Sequence, residues 1–227
     1  MILKHWLKGG AVDLGNTAST SDVIYDALRN AIIRGRIPEG ETLRQDGIAR
    51  QFNVSRIPVR EALKRLEAQG LATSVRYKGV VVASMSISEI VEIFEFRALV
   101  EPTVIAMAVP RMSDESLRLA QVHCDAFAAE TDPTRWGDIN RLLHSSLYRD
   151  CGRPYYLSVI EKANDRVERY IRAQIDLTKG MGRAQADHQQ IIDACVRRDA
   201  PAAAALTREH ILNASETLVA FLRQTSA

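Results

Sequence analysis

Apolar positions fall into a helical rhythm from the first structured stretch of the chain. Ile24, Ala27, Leu28, Ala31 and Ile32 repeat with a period near 3.6, which predicts a first helix that Ser21 can cap and Gly35 ends. The turn Ile37-Pro38-Glu39-Gly40 leads to a shorter helical stretch over roughly Gln45 to Phe52, and Asn53-Val54-Ser55 reads as a tight turn. Val59, Ala62, Leu63 and Leu66 then recur at i, i+3, i+4 and i+7, the signature of a third helix closed by Gly70. Pro58 is tolerated there because it lies in the first turn, where backbone N–H groups have no intrahelical partner. Residues 71–83 change to β-type composition, with Val75, Tyr77, Val80, Val81 and Val82 around Lys78-Gly79, which predicts a two-stranded hairpin or wing.

Beyond Ser86 the β signal disappears. A capping box, Ser86-x-x-Glu89, opens a long helix, and further starts are offered by Ser113, Asp132-Pro133, Pro154, a point near Arg183 and Asp199-Ala-Pro201. The expected fold is mainly α, a winged helix-turn-helix followed by an all-α bundle of six to seven helices. The expected domains are a flexible arm over residues 1–18, a DNA-binding domain over 19–84, and a helical effector-binding and dimerisation domain over 85–227.

Composition narrows the class. The 227 residues are 46% hydrophobic and 26% charged, ordinary values for a globular protein. Cys124, Cys151 and Cys195 show no CxxC spacing and are expected to be reduced core thiols. No apolar run is long enough to span a bilayer and the N-terminus lacks a signal-peptide pattern, so a cytoplasmic location is expected. The net charge of +2 conceals an asymmetry: residues 1–84 hold 13 Lys/Arg against 8 Asp/Glu, a net of +5, and the remainder is net acidic. The basic part is therefore the candidate for a polyanionic partner.

Two helices around a tight turn, followed by a wing, form the layout in which the second helix enters the major groove. Ser55, Arg56 and Arg60 fall at the N-terminal end of that helix, with the arginines at i and i+4 opposite the apolar stripe. An arginine there can fork to O6 and N7 of guanine, and Ser55 with the open helix amides suits a phosphate. Arg44, Lys64, Arg76 and Lys78 add backbone charge, and Gly79 lets the wing approach the minor groove. Such an arginine pair taken alone is merely a solvated helix face; its place within the helix-turn-helix-wing order favours the DNA reading.

The run Pro38-Glu-Gly-Glu-Thr-Leu43, then Ile48-Ala49, Phe52-Asn-Val-Ser-Arg-Ile-Pro-Val-Arg-Glu-Ala-Leu63 and Leu66-Glu-Ala-Gln-Gly-Leu71 resembles the N-terminal domain of GntR-family regulators. The resemblance implies that Arg56 and Arg60 contact operator bases and that Gly79 marks the wing tip. Asp46 departs from the pattern, standing where some members carry arginine. Arg97-x-x-Val-Glu101, and Asp187-His188-x-x-Ile191-Ile192-x-Ala194 with Asp199 and His210, are similar to the FadR subfamily with its FCD-type ligand-binding domain. In its metal-binding members an Asp and a His at i, i+4 join two later histidines, which here implies Asn140, His144, His188 and His210, with asparagine in place of the aspartate. Helical periodicity separately turns these histidines inward, beside Trp136, Ile139, Leu143 and Leu147, beside Ile191, Ile192 and Cys195, and beside Leu206, Ala214 and Phe221. Imidazole suits Zn, Ni and similar divalent transition metals without selecting one. The resemblance also implies that Arg97 pairs with the carboxylate of a small organic acid. Arg169, Arg172 and Gln174 are weaker pocket candidates, for which a solvated helix face is the better reading.

The leading expectation is a homodimeric transcription regulator, expected to repress, that binds a palindromic double-stranded operator and responds to a small carboxylate near a divalent metal. The alternative is a regulator with a purely structural metal, or a metal-free pocket for an acyl-type ligand. An enzyme is not expected, because the sequence has no Glu-x-x-His pair, no HExxH and no nucleophile–base motif.

Overall fold

The first helix starts two residues earlier than a cap at Ser21 implies. In the computed structural model, which describes residues 19–178 and 182–225, α1 runs Thr20–Ile33 with Ser19 as its N-cap. Ser19, rather than Ser21, is selected because Asp22 stands three residues on: the Ser19 hydroxyl accepts from the Asp22 amide and the Asp22 carboxylate accepts from the Ser19 amide, which satisfies two otherwise orphaned donors. The arm expected over residues 1–18 lies outside the described residues.

Helix α2 (Gln45–Phe52) ends on Asn53, whose left-handed backbone (φ +53°) makes the tight turn into α3 (Arg56–Ala68). Helix α3 buries Val59, Ala62, Leu63 and Leu66 against α1 and α2, about 1.5–3 kcal/mol for each of the larger side chains. Strands β1 (Ala72–Val75) and β2 (Gly79–Val82) pair antiparallel, in register Ala72↔Val82 to Val75↔Gly79. The segment before α2 joins this wing, since Leu43 donates to the Val80 carbonyl and Val82 to that of Glu41. The wing tip turns through Tyr77 at φ +65° and Gly79 at φ +80°.

The chain divides into two compact units between Met85 and Ser86. In the second, six α-helices follow among the described residues: α4 (Ile87–Ala108), α5 (Asp114–Ala129), α6 (Pro133–Tyr148), α7 (Pro154–Thr178), α8 (Gly182–Val196) and α9 (Ala200–Thr225). The capping box Ser86/Glu89 opens α4 as its spacing predicts, and Ser113 caps α5. Helix α4 packs on α9, α7 and α6, while α5 lies on α6 and α8, and α8 on α9. Val104, Ile105, Leu143, Leu147, Ile191, Ile192 and Cys195 form the core, and all three cysteines are buried free thiols. Burial pushes the Cys195 thiol up to about 12, the behaviour of an inert packing group.

On α9 the buried line is Ala203, Thr207, Ile211, Ser215 and Leu218 with His210 at its edge, not the Leu206–Ala214–Phe221 line. The buried line mixes the small Ala203, Thr207 and Ser215, which let neighbouring helices approach closely, with Ile211 and Leu218, while Leu206 and Phe221 lie at half-buried margins. Among the described residues no helix is long and apolar enough to cross a membrane.

Candidate DNA-reading face and histidine centre

The first unit carries an exposed basic face built on α3. Ser55 is the N-cap of α3 but makes no side-chain capping bond, so the first-turn amides and the positive end of the helix dipole remain open to an anion. Arg56, Arg60 and Lys64 are exposed at i, i+4 and i+8, along the edge of the buried stripe that holds Val59 and Leu63. Arg44 is exposed just before α2, and Lys78 and Gly79 are exposed at the wing tip. Three features of this face were not legible from charge alone. Asp46 on α2 forms an ion pair with Arg56 Nε at 2.5 Å across the turn. Ile57 is 59% exposed in the first turn of α3, and Tyr77 is 91% exposed at the wing tip. Ile57 could have been found as an apolar residue on the face opposite the core stripe, and Tyr77 as a large side chain at the hairpin tip.

The second unit brings three histidines together. His144 comes from α6, His188 from α8 and His210 from α9, and one nitrogen of each lies within 4.8 Å of the others. Ring centroids stand 5.3 Å apart for His144–His188, 5.4 Å for His144–His210 and 4.7 Å for His188–His210. Phe127 of α5 closes one side with its edge to the His188 ring at 5.0 Å. Burial, then the neighbouring His188, His210 and Arg97 charges, holds His144 well below the ordinary imidazole range, and burial with His210 does the same to His188. His144 and His188 are held as neutral bases.

Neutral imidazoles in an apolar core normally hydrogen-bond through both nitrogens, yet among the described residues His144 Nε2 and both nitrogens of His188 are buried with no partner. Each such group costs about 1–3 kcal/mol of desolvation unless something binds it. A divalent transition metal is the group this donor set fits: a tetrahedral ion about 2.1 Å from each nitrogen separates them by about 3.4 Å, within reach of small torsional adjustments. Asn140 sits one turn before His144 on α6 and is half-buried. Cys124 and Cys195 are buried but lie outside the cluster that could hold an ion.

Outer contacts orient two of the rings. His210 Nδ1 faces the Asp187 carboxylate at 3.3 Å. His144 Nδ1 faces the Tyr148 hydroxyl at 3.2 Å, Tyr148 donates to Glu101 Oε2 at 2.8 Å, and Glu101 Oε1 accepts from Arg97 Nε at 2.7 Å. Arg97 and Glu101 therefore stand on the buried face of α4 as an i, i+4 ion pair, with the guanidinium also over the Phe94 ring at 5.0 Å. Glu101, Tyr148 and Asp187 went unassigned in the sequence, although Tyr148 stands four residues after His144 and Glu101 four after Arg97. Arg172 does not belong to a solvated face: it is buried, bonded to Glu168 and Asp138, and Gly137 leaves the space for that cluster.

Residues 20–82 match the family described as bacterial regulatory proteins, gntR family, and residues 92–213 match the FCD domain. The chain is 32% identical over 201 residues to the HTH-type transcriptional repressor GlaR of Escherichia coli K12, covering 83% of this chain and 90% of that protein. It is 30% identical over 159 residues to the gluconate operon transcriptional repressor of Bacillus subtilis, 68% of this chain and 64% of that one. Among solved structures, a GntR-family transcriptional regulator from Pseudomonas syringae pv. tomato is 30% identical with a TM-score of 0.56, over 94% of this chain and 92% of that one. Escherichia coli McbR/YncC shares the fold, with a TM-score of 0.78 at 19% identity over 93% and 100% of the two chains. GlaR, the gluconate operon repressor and the Pseudomonas protein are regulators rather than enzymes, and with both domains matched in order the chain belongs to the GntR family of transcription regulators, a winged helix-turn-helix followed by an FCD domain.

Proposed function

We propose that the protein is a cytoplasmic repressor of the FadR subfamily that binds a palindromic operator as a homodimer and responds to a small carboxylate held beside a divalent metal. The observation that carries the sensing half is the trio of buried imidazoles, of which His144 Nε2 and both nitrogens of His188 have no hydrogen-bond partner among the described residues. His144, His188 and His210 would hold the ion, with the Asn140 carbonyl as a neutral fourth donor. The ion supplies positive charge in a low-dielectric site, and a ligand set without a carboxylate leaves that charge for an anionic effector to neutralise. Arg97 would meet the other end of the acid through guanidinium N–H groups that Glu101 does not take.

On the DNA side, Arg56 and Arg60 read base edges, Ser55 and the α3 amides hold a phosphate, and Arg44, Lys64, Lys78 and Gly79 follow the backbone. A single winged unit reads few base pairs, and two-fold symmetry doubles the site. The sign of regulation is supported by two relatives that are named repressors. A second reading, an ion that is purely structural, is favoured by one observation: Glu101 already engages Arg97.

Metal analysis of protein purified without a polyhistidine tag, followed by a thermal-shift screen of small organic acids with and without divalent metals, separates the readings. The sensing reading expects about one equivalent of metal per chain and an acid whose stabilisation requires it. Metal without any acid response supports the structural ion, and absence of metal refutes both.

A further inference from the structure

Histidine can offer a metal only the nitrogen that carries no proton, so the partner of the other nitrogen decides which atom ligates. Among the described residues His188 has no such partner, and His210 has a carboxylate, which can only accept. His144 is different, because its partner is a hydroxyl that can act either way.

The direction is settled two bonds further out. Glu101, paired with the Arg97 guanidinium, accepts from the Tyr148 hydroxyl, which spends its single proton on that bond. The Tyr148 oxygen is left as an acceptor towards His144, so the imidazole must donate from Nδ1. We propose that Tyr148, held by Glu101, is a positioning residue that fixes His144 as its Nδ1–H tautomer and thereby presents the Nε2 lone pair to a metal. The inference rests on the metal-site reading for its purpose, but not for its geometry. His144 Nε2 is the buried nitrogen without a partner, as this assignment requires. Both residues lie on one helix, His144 and Tyr148 at i and i+4 of α6, while Glu101 reaches them from α4, so the fixed tautomer depends on how these two helices pack.

The test uses the full chain. Nitrogen-15 NMR of the metal-free protein reads the protonation site of each imidazole directly, and His144 is expected as the Nδ1–H form alone. In Tyr148→Phe it should become a mixture of tautomers. Cobalt(II) titration followed by visible absorption should show affinity about 10- to 100-fold weaker for Tyr148→Phe, and unchanged for the control Tyr155→Phe, which alters a tyrosine on exposed α7 surface. Thermal unfolding and operator binding establish that the variants fold. An Nε2–H or mixed His144 in the unsubstituted protein overturns the proposal, as does wild-type cobalt affinity in Tyr148→Phe. If the unsubstituted protein takes up no cobalt, the metal reading fails by itself, and the tautomer measurement still decides the role of Tyr148. Should Tyr148→Phe not fold, the tautomer in the unsubstituted chain decides likewise.

Discussion

Replacing Asp46 with alanine isolates what the Asp46–Arg56 pair contributes to reading DNA. The pair is short, at 2.5 Å, but its side chains are 72% and 51% exposed, so water and salt screen it. An exposed pair of this kind contributes about 0–1 kcal/mol to stability, and Asp46→Ala should leave the thermal midpoint almost unmoved. In the groove the balance changes. A fixed arginine fork on guanine is worth about 1–3 kcal/mol of discrimination, roughly 5- to 150-fold in relative affinity. A carboxylate on Arg56 Nε restrains the guanidinium plane, and the same carboxylate repels the phosphates. Asp46→Ala should therefore raise affinity for non-operator DNA while lowering the operator-to-non-operator ratio, and Arg56→Ala should lower that ratio by up to the full factor. Lys64→Ala, at a proposed backbone contact, should weaken all sequences alike and reduce the salt slope by about 1. Fluorescence anisotropy with operator and scrambled duplexes at several salt concentrations measures all three. A ratio that stays at the wild-type value in both Asp46→Ala and Arg56→Ala would refute the placement of Arg56 at a base edge.

In the histidine centre, His188→Ala and His210→Ala should each abolish metal uptake and the acid response while operator binding by the first unit persists; calorimetric titration with metal and then acid reads this, and wild-type acid affinity in either variant would exclude the ion from sensing. Asn140→Asp should tighten metal and weaken the acid, because a carboxylate ligand cancels charge the effector would otherwise meet. For the metal-free protein, His144 and His188 have folded values depressed below the unfolded value of about 6.5. The unfolded chain then binds more protons than the folded one, so their contribution is present in full above about pH 6.5 and is lost as pH falls below it. Urea midpoints measured between pH 8 and pH 5 should decline accordingly, and a flat profile would contradict burial of neutral rings. Light scattering at micromolar concentration should give a dimer, and one monomer per operator would rule out two-fold reading.

Much of the first unit was legible because its information is local. The stripe Val59–Ala62–Leu63–Leu66 decides which face of α3 is buried, and with it the outward direction of Arg56, Arg60 and Lys64, by helical period alone. The capping box at Ser86 and the valine-rich wing are likewise set by neighbours a few residues apart. Position within the helical unit was legible for His144 and His188, whose helices bury lines of large apolar residues, but less so for α9. There the alanine-rich sequence offers several adjacent faces of similar hydrophobicity, and only close packing by α4 and α8 selects Ala203, Thr207 and Ile211. What remained for tertiary structure is every relation between helices far apart in sequence. Tyr148 meets Glu101 across 47 positions, and His210 meets Asp187 across 23. Periodicity assigns a residue to the inside of its own helix; it carries no information on which residue of another helix faces it. The sequence by itself determined the helices, the wing and the inward direction of His144 and His188. The convergence of the three rings, the pairing of Asp46 with Arg56 and the bonds that orient His144 were decided by the packing of one helix on another.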